Sequence, residues 1–489
     1  MDTTMLTLSP AEARQLEATY RVVRRSVDAR QKDIKVNLTL LTDGNNFVPL
    51  DAPVPLYEPP HFVDVSAQND VPVVYIVGAG PAGLFAALTL LEHGIKPIIF
   101  ERGKPVSERK KDIALLNRNE SFNPESNYCF GEGGAGTFSD GKLFSRSKKR
   151  GNMQRVMELF HHFGAPDTVL YEAHAHIGSD KLPRIIQNMR ECILAHGGEI
   201  HFETLFTDFA NRSTPLILGI GHSAHDTYRL LDSLGITLES KGFAMGVRVE
   251  HPQELINRLF FHNASKEEIA LLGNASYSLV TQVNGHGVYS FCMCPGGHIV
   301  PAGSSTDGCV VNGMSASHRN SPFANSGMVV ELHPGGSAIS ALEIQEDLER
   351  LAKQHGGPAQ QAPAQRLRDF VERRYSQTLP ACSYLPGLVS SRMDEWLPEP
   401  IRSCLIQGFR DFDHKHKGFL TNEAVIVGVE SRSSSPVRIT RDTETMQSIS
   451  HSWLYPCGEG AGYAGGITSS ALDGINAALK IAANYGRIF

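Results

Sequence analysis

Residues 74–103 read VYIVGAGPAGLFAALTLLEHGIKPIIFERG. An apolar run ends at Val77, a glycine-rich turn follows, then an apolar helix opened by Pro81 and Ala82, then a second apolar run ending in Glu101 and Arg102. The turn spells Gly78-x-Gly80-x-x-Gly83. The first glycine permits a tight turn, the second lets the backbone approach a pyrophosphate, and the third lets helix and strand pack closely. Phosphates then sit on free N–H groups at the positive end of the helix. Glu101 lies about twenty residues beyond the first glycine, where a carboxylate accepts hydrogen bonds from ribose hydroxyls. It would repel a 2′-phosphate, so the turn selects FAD or NAD over NADP.

The far end of the chain decides between these two. LYPCGEGAGYAGGITSSALDGINAA, from Leu454, is a second glycine-rich passage from strand to helix. One NAD site has no use for it. FAD does, because its ribitol and isoalloxazine extend beyond the first turn. Gly458 and Glu459 are placed for the ribitol hydroxyls. Gly465, Gly466 and Ile467 would offer backbone N–H groups to the flavin N1/C2 edge, where a helix dipole favours the negative charge of reduced flavin. FAD is therefore the expected cofactor, with NAD(P)H as a transient electron donor.

The 489 residues exceed one ordinary core and suit several units. A hydrophobic fraction of 41% with 20% charged residues is that of a globular protein. The net charge of −6 carries no nucleic-acid footprint. Lys148-Lys149-Arg150 reads as a solvated loop. The N-terminus lacks a basic segment followed by an apolar one, and the apolar stretch Val71–Leu91 is broken by prolines and glycines. The expectation is a cytoplasmic protein with neither a secretory signal nor a membrane span. The eight cysteines contain no C-x-x-C pair, and no motif completes a metal site.

Residues 1–60 read as a small N-terminal α/β domain with a proline-rich linker. Ser9 and Pro10 open a helix, and DIKVNLTLLT alternates as a half-buried strand. Residues 71–240 read as the first part of the FAD-binding domain. Residues 241–430 carry many short alternating runs and read as a strand-rich substrate domain. Residues 431–489 return to the FAD-binding domain. LILGIGHSAHDT, from Leu216, places Gly221 and His222 after an apolar strand. It reads as a small-residue turn bordering FAD; a second dinucleotide turn, with Glu239 downstream, is the alternative.

SVDARQKDI, GEGGAGTFSDGKL, GHSAHDT, MCPGGHIVPA, NGMS, GVESRSSSPVRITRD and YPCGEGAGYAGGITSSALDGI together resemble a bacterial family of FAD-dependent oxidoreductases, the NAD(FAD)-utilizing dehydrogenases or FAD-dependent protein C. The resemblance runs from about Arg24 onward. It implies an α/β fold with a split, Rossmann-like FAD domain of the glutathione-reductase type, an inserted mixed α+β substrate domain and an unassigned reaction. It also implies that Gly133, Gly134, Ala135 and Gly136 wind around the flavin. Three departures stand out. Only ETLFTDFANRSTP joins the strands near 200 and 216, where this fold usually inserts a β-meander, implying reduced cover over the cofactor. His225 stands in place of an arginine, and Ser433 in place of a threonine.

For chemistry, Lys142, Arg248, Arg319 and Asn312 are the candidates for a polar pocket, an arginine fork being suited to an anionic substrate. Cys292 and Cys294 are spaced C-x-C. Disulfides at that spacing are strained, so a packing role is expected for them. His174 and His176 read as ordinary cleft histidines. The expected function is FAD-dependent oxidation or reduction of a small molecule by hydride transfer at flavin N5. An NAD(P)H-dependent flavin reductase and a non-catalytic flavin-binding sensor or assembly protein are the alternatives.

Overall fold

The computed structural model describes residues 1–29, 33–143, 151–210, 213–262 and 264–487. The basic run at 148–150 lies outside the described residues.

Val73–Val77 and Lys96–Phe100 are parallel strands joined by the helix Pro81–Glu92. Ala82 through Leu91 are all buried. A helix apolar all round has no face to give to water, and this one is enclosed between the sheet and the helix Ile467–Asn484. A Cβ on Gly474 would lie 2.0 Å from the Ala82 carbonyl oxygen, so glycine is what allows the two helices to close. Among the described residues the parallel sheet runs Leu454–Pro456, Leu216–Leu218, Val73–Val77, Lys96–Phe100, Glu199–His201. Its first strand enters from a stretch remote in sequence from the other four.

Between His201 and Leu216 no strand occurs among the described residues. Phe206 fills the space, with ring centroids 5.1 Å from Phe100 and 5.2 Å from Phe209.

A second sheet runs Val280–Val283, His286–Cys294, Phe323–Leu332, Phe243–Pro252, Val425–Glu430, Ala362–Arg366, Leu388–Ser390 among the described residues. Its pairings are antiparallel except the last. Val247, Val249, Met328, Val330 and Val427 are buried beneath the helices Ala338–His355 and Ile401–Lys415.

The N-terminal residues form a small antiparallel sheet in which Lys35–Asp43 lies between Asp2–Leu8 and Val22–Asp28. Val36, Leu38 and Leu40 are buried on one face, as their alternation dictates. The flanking strands escaped the sequence reading because most of their residues are exposed or half-buried and mark no core face. Ser9 and Glu12 close a capping box on the helix Pro10–Glu17. Arg25 fastens this unit to the rest of the chain through Glu172 at 2.9 Å. Among the described residues no helix is long and apolar enough to cross a membrane.

Candidate cofactor and substrate site

A cavity of about 380 Å³ opens between the carboxyl end of the parallel sheet and one flank of the second sheet. Glycine turns build its inner wall. At Gly78, with φ +98°, a Cβ would lie 2.3 Å from the Gly219 carbonyl oxygen; at Gly83 it would lie 1.9 Å from that of Gly78. These two glycines set the turn and the helix packing. Gly80 differs: its Cβ would meet nothing nearer than 3.8 Å, and at Gly465 and Gly466 nothing within 4 Å. Gly80 and Gly466 precede the helices Pro81–Glu92 and Ile467–Asn484, and neither helix has a side-chain cap. The first N–H groups of both helices are thus left for a ligand beside open space.

Gly78, Gly80, Pro81, Ala82, Glu101 and Arg102 line the cavity from the fingerprint side. Gly134, Ala135 and Gly136 line it from the glycine-rich loop, and Gly221 and His222 from the turn after Leu218. Gly458, Glu459, Gly465, Gly466 and Ile467 complete it from the late segment. Gly83 stays behind the wall. So does Gly133, where a Cβ would strike Thr137 Oγ1 at 1.9 Å.

Glu101 does more than its spacing implies. It accepts from the N–H groups of Ala79 (2.8 Å), Gly103 (2.9 Å) and Gly131 (3.0 Å). It ties three turns together and keeps one acceptor direction of about four. Arg102 carries no spare charge, because Glu125 and Asp226 both hold its guanidinium. His222 Nδ1 bonds Glu459 Oε1 at 2.8 Å, and its buried Nε2 has no protein partner. An orphaned buried nitrogen in the wall is what a bound ligand would satisfy.

Arg109 went unnoticed in the sequence. It is fully buried and donates to the carbonyls of Asn127, Tyr128, Gly131, Glu132 and Gly134. Burial pushes its pKa down to about 10, against the pull of Glu101 and other neighbours. A glycine-rich loop leaves carbonyls turned inward, and this guanidinium collects them. The signal was the loop's demand for donors, which does not say where the donor lies.

The outer wall corrects several expectations. Arg248 does not reach the cavity as an arginine fork. It is fully buried and bonds Glu430 (2.9 Å), Asn325 (2.8 Å), Asn312 (3.2 Å) and the Cys292 carbonyl (2.7 Å). Burial pushes the Glu430 carboxyl up to about 7, only partly offset by Arg248. Arg319 is bidentate to Asp140 (3.0 and 2.5 Å) and does not line the cavity. Asn312 does line it, with its Oδ1 occupied by Arg248 and the Gly313 N–H. Lys142 lines it and pairs with Asp140 at 3.3 Å.

The C-x-C pair is not on a regular strand. The register slips between Phe291 and Cys294, and Cys292 takes φ +44°. Both thiols turn toward Lys142 Nζ, at 4.0 and 3.7 Å. His225 pairs with Glu346 at 2.9 Å, where Arg229 also binds. Burial lowers its pKa, so the fixed charge of an arginine is absent from this position. His176 bonds the Ser317 carbonyl. Among the described residues no cluster of His, Cys, Asp or Glu could hold a metal.

Three family models match the chain: an FAD binding domain over residues 70–117, an FAD-dependent protein C-terminal domain over 242–433, and a domain of unknown function over 5–42. An uncharacterized protein of Clostridium beijerinckii is 39% identical, covering 94% of this chain and 91% of its own. Similar solved structures include CtdE with FAD (11% identity, 85% of this chain and 84% of that one, TM-score 0.30). They also include the flavin-dependent halogenase CmlS (12%, 86% and 59%, TM-score 0.34). The tetracycline destructase Tet(51) is a third (11%, 86% and 85%, TM-score 0.32). The near full-length relative and the FAD models on both sides of the cavity establish that the chain belongs to a family of FAD-dependent proteins and that its cofactor is FAD.

Proposed function

We propose that the protein is a FAD-dependent oxidoreductase acting on a small molecule held between the cofactor-binding turns and the second sheet. The observation that carries this reading is the continuity of the cavity. It runs from Gly80 and Gly466 to Lys142, Cys292 and Asn312 without an intervening wall. A sensor or assembly protein would have no use for space between the two halves.

Bound FAD supplies two-electron chemistry, a hydride moving to or from N5. The chain's own residues do the rest. The uncapped N–H groups after Gly80 suit the pyrophosphate. Glu101 offers its remaining acceptor direction to a ribose hydroxyl. Phe130 and Phe138 line the cavity and exclude water. Lys142 presents a cation to the open space: burial lowers its pKa, but Cys292, Cys294 and Asp140 outweigh this and leave it raised. It is therefore a charge for orienting an anionic group and not a proton donor near neutrality. The Gly219 turn packs against the fingerprint turn and lines the same cavity, so a nicotinamide donor would have to visit the shared cleft.

The test is an anaerobic absorbance titration of the purified protein with NADH and then NADPH. Stoichiometric bleaching of a yellow protein identifies nicotinamide as donor. A yellow protein that stays oxidised directs the search to organic donors. A protein active on no redox donor or acceptor across thiols, amines, hydroxy acids and nicotinamides would overturn the oxidoreductase reading.

A further inference from the structure

We propose that Cys292 and Cys294 form a redox-active dithiol–disulfide pair that exchanges two electrons with bound FAD and reduces a small disulfide entering the same cavity. This rests on the oxidoreductase reading above and names its substrate class.

The argument begins with the strand. In a regular strand the Cβ atoms of residues i and i+2 stand roughly 6.6 Å apart on one face, beyond the roughly 4.5 Å across which a disulfide closes. Here the bulge after Phe291 and the positive φ of Cys292 break that spacing. A left-handed conformation at a non-glycine residue is strained, and such residues cluster at functional sites. It brings both sulfurs within 4.0 Å of one ammonium group. Arg248 Nη2 lies 3.5 Å from Cys294 Sγ and its side chain also holds the Cys292 carbonyl. One buried and one half-buried cation around two thiols favour a thiolate.

The two thiols are not equivalent. Cys292 is half-buried and lines the cavity; Cys294 is fully buried behind it. A hydrogen bond from Cys294, with Lys142 and Arg248, holds Cys292 well below the usual thiol range despite burial and Asp140. The same bond and burial raise Cys294. Glu430, which bonds Arg248, and Arg319 and His176, which face Asp140, complete the charged surroundings. By contrast, burial raises Cys192, Cys309, Cys382, Cys404 and Cys457. Cys292, which faces the cavity, is thus the sulfur that an entering disulfide meets, and Cys294, buried behind it, is the resolving one.

The chemistry balances. Cys292 thiolate attacks a disulfide R–S–S–R′, forming Cys292–S–S–R and releasing R′–S⁻. Cys294 loses its proton and attacks Cys292 Sγ, forming the internal disulfide and releasing R–S⁻, one of the two products taking the proton. Two electrons and one proton drawn from the reduced FAD anion then break the Sγ–Sγ bond. This restores the Cys292 thiolate and the Cys294 thiol and leaves oxidised FAD. Reduced nicotinamide or another hydride donor re-reduces the FAD.

The test uses FAD-loaded protein and dithiodipyridine as the disulfide probe, read by released thione and by peptide mass. In the wild-type protein the pair should release two thiones beyond those of a Cys292→Ser/Cys294→Ser chain, retain no adduct and carry an internal 292–294 disulfide. Anaerobic photoreduction of the flavin should restore both thiols. Cys294→Ser should release one thione and keep the adduct on Cys292. Cys292→Ser should react roughly tenfold or more slowly at this site. A yellow wild-type protein whose two thiols stay free, or a Cys294→Ser chain without an adduct, overturns the proposal while leaving the FAD reading intact. Normal thiol exchange in a protein whose two thiols stay oxidised on flavin reduction overturns the flavin coupling.

Discussion

The two walls of the cavity recognise by opposite means. The inner wall is almost bare backbone: glycine turns, two uncapped helix ends and one carboxylate binding three N–H groups. The outer wall is backed by charged side chains matched to one another, most of them turned away from the cavity: Arg248 with Glu430, Arg319 and Lys142 with Asp140, Arg432 with Glu349. Backbone recognition depends on the absence of side chains, and at Gly78 and Gly83 the fold leaves no room for a Cβ. Charge recognition depends on every partner being present, because one unpaired ion in a dry interior is strongly destabilising. The inner wall should therefore fail by steric clash, the outer by lost charge balance.

Four substitutions sharpen this contrast, from the largest expected effect to the smallest. Gly78→Ala forces a Cβ to 2.3 Å from a backbone oxygen at positive φ. It should lower stability by more than about 4 kcal/mol and abolish FAD retention, as read by chemical denaturation and absorbance. Arg109→Met strips the loop carbonyls of their donor and should cost about 3–4 kcal/mol, with loss of FAD. A melt within a degree of the wild type would refute the organising role of Arg109.

Glu430 offers a pH signature. Its carboxyl titrates at about 7 in the folded chain against an unfolded value near 4.5. The folded state holds the extra proton in this window. The stability this contributes is fully present below about 4.5 and is lost as pH rises through about 7, up to roughly 3 kcal/mol. Glu430→Gln should flatten that slope in urea denaturation followed from pH 4.5 to 8; an unchanged slope would assign it to other groups. Gly466→Ala comes last: with nothing within 4 Å of its Cβ, it should change apo-protein stability by less than about 0.5 kcal/mol while weakening FAD binding. Unaltered FAD affinity would remove this glycine from the cradle.

The same contrast explains what could be read from the sequence. Gly78, Gly80, Gly83 and the late Gly465–Gly466 turn were legible because each is a local backbone pattern between a strand and a helix. The buried pairs were not. Arg248 and Glu430 are separated by 182 residues, and Arg319 and Asp140 by 179; only the topology brings them together. Arg248 was therefore read as a substrate fork when it is a bolt. The irregular backbone at Cys292 and Cys294 was not legible, because a bulge has no side-chain pattern to announce it. Glu101 was legible as a carboxylate closing the second strand beside the glycine turn, but its bond to the Gly131 N–H depends on a loop thirty residues away.

The late helix has a consequence for when the protein becomes a flavoprotein. Thr468 bonds the Leu143 carbonyl across 325 residues, and Arg487 that of Gly94 across 393. At about 5–20 residues per second, a ribosome delivers this helix roughly 20–80 s after the fingerprint turn. Until then the apolar helix Pro81–Glu92 lacks its cover and the side of the cavity lined by Gly458, Glu459 and Gly465–Ile467 does not exist. Nascent chains halted before Leu454 should be recognised by chaperones and remain colourless, so cofactor capture waits for the late helix and does not follow directly on the fingerprint turn.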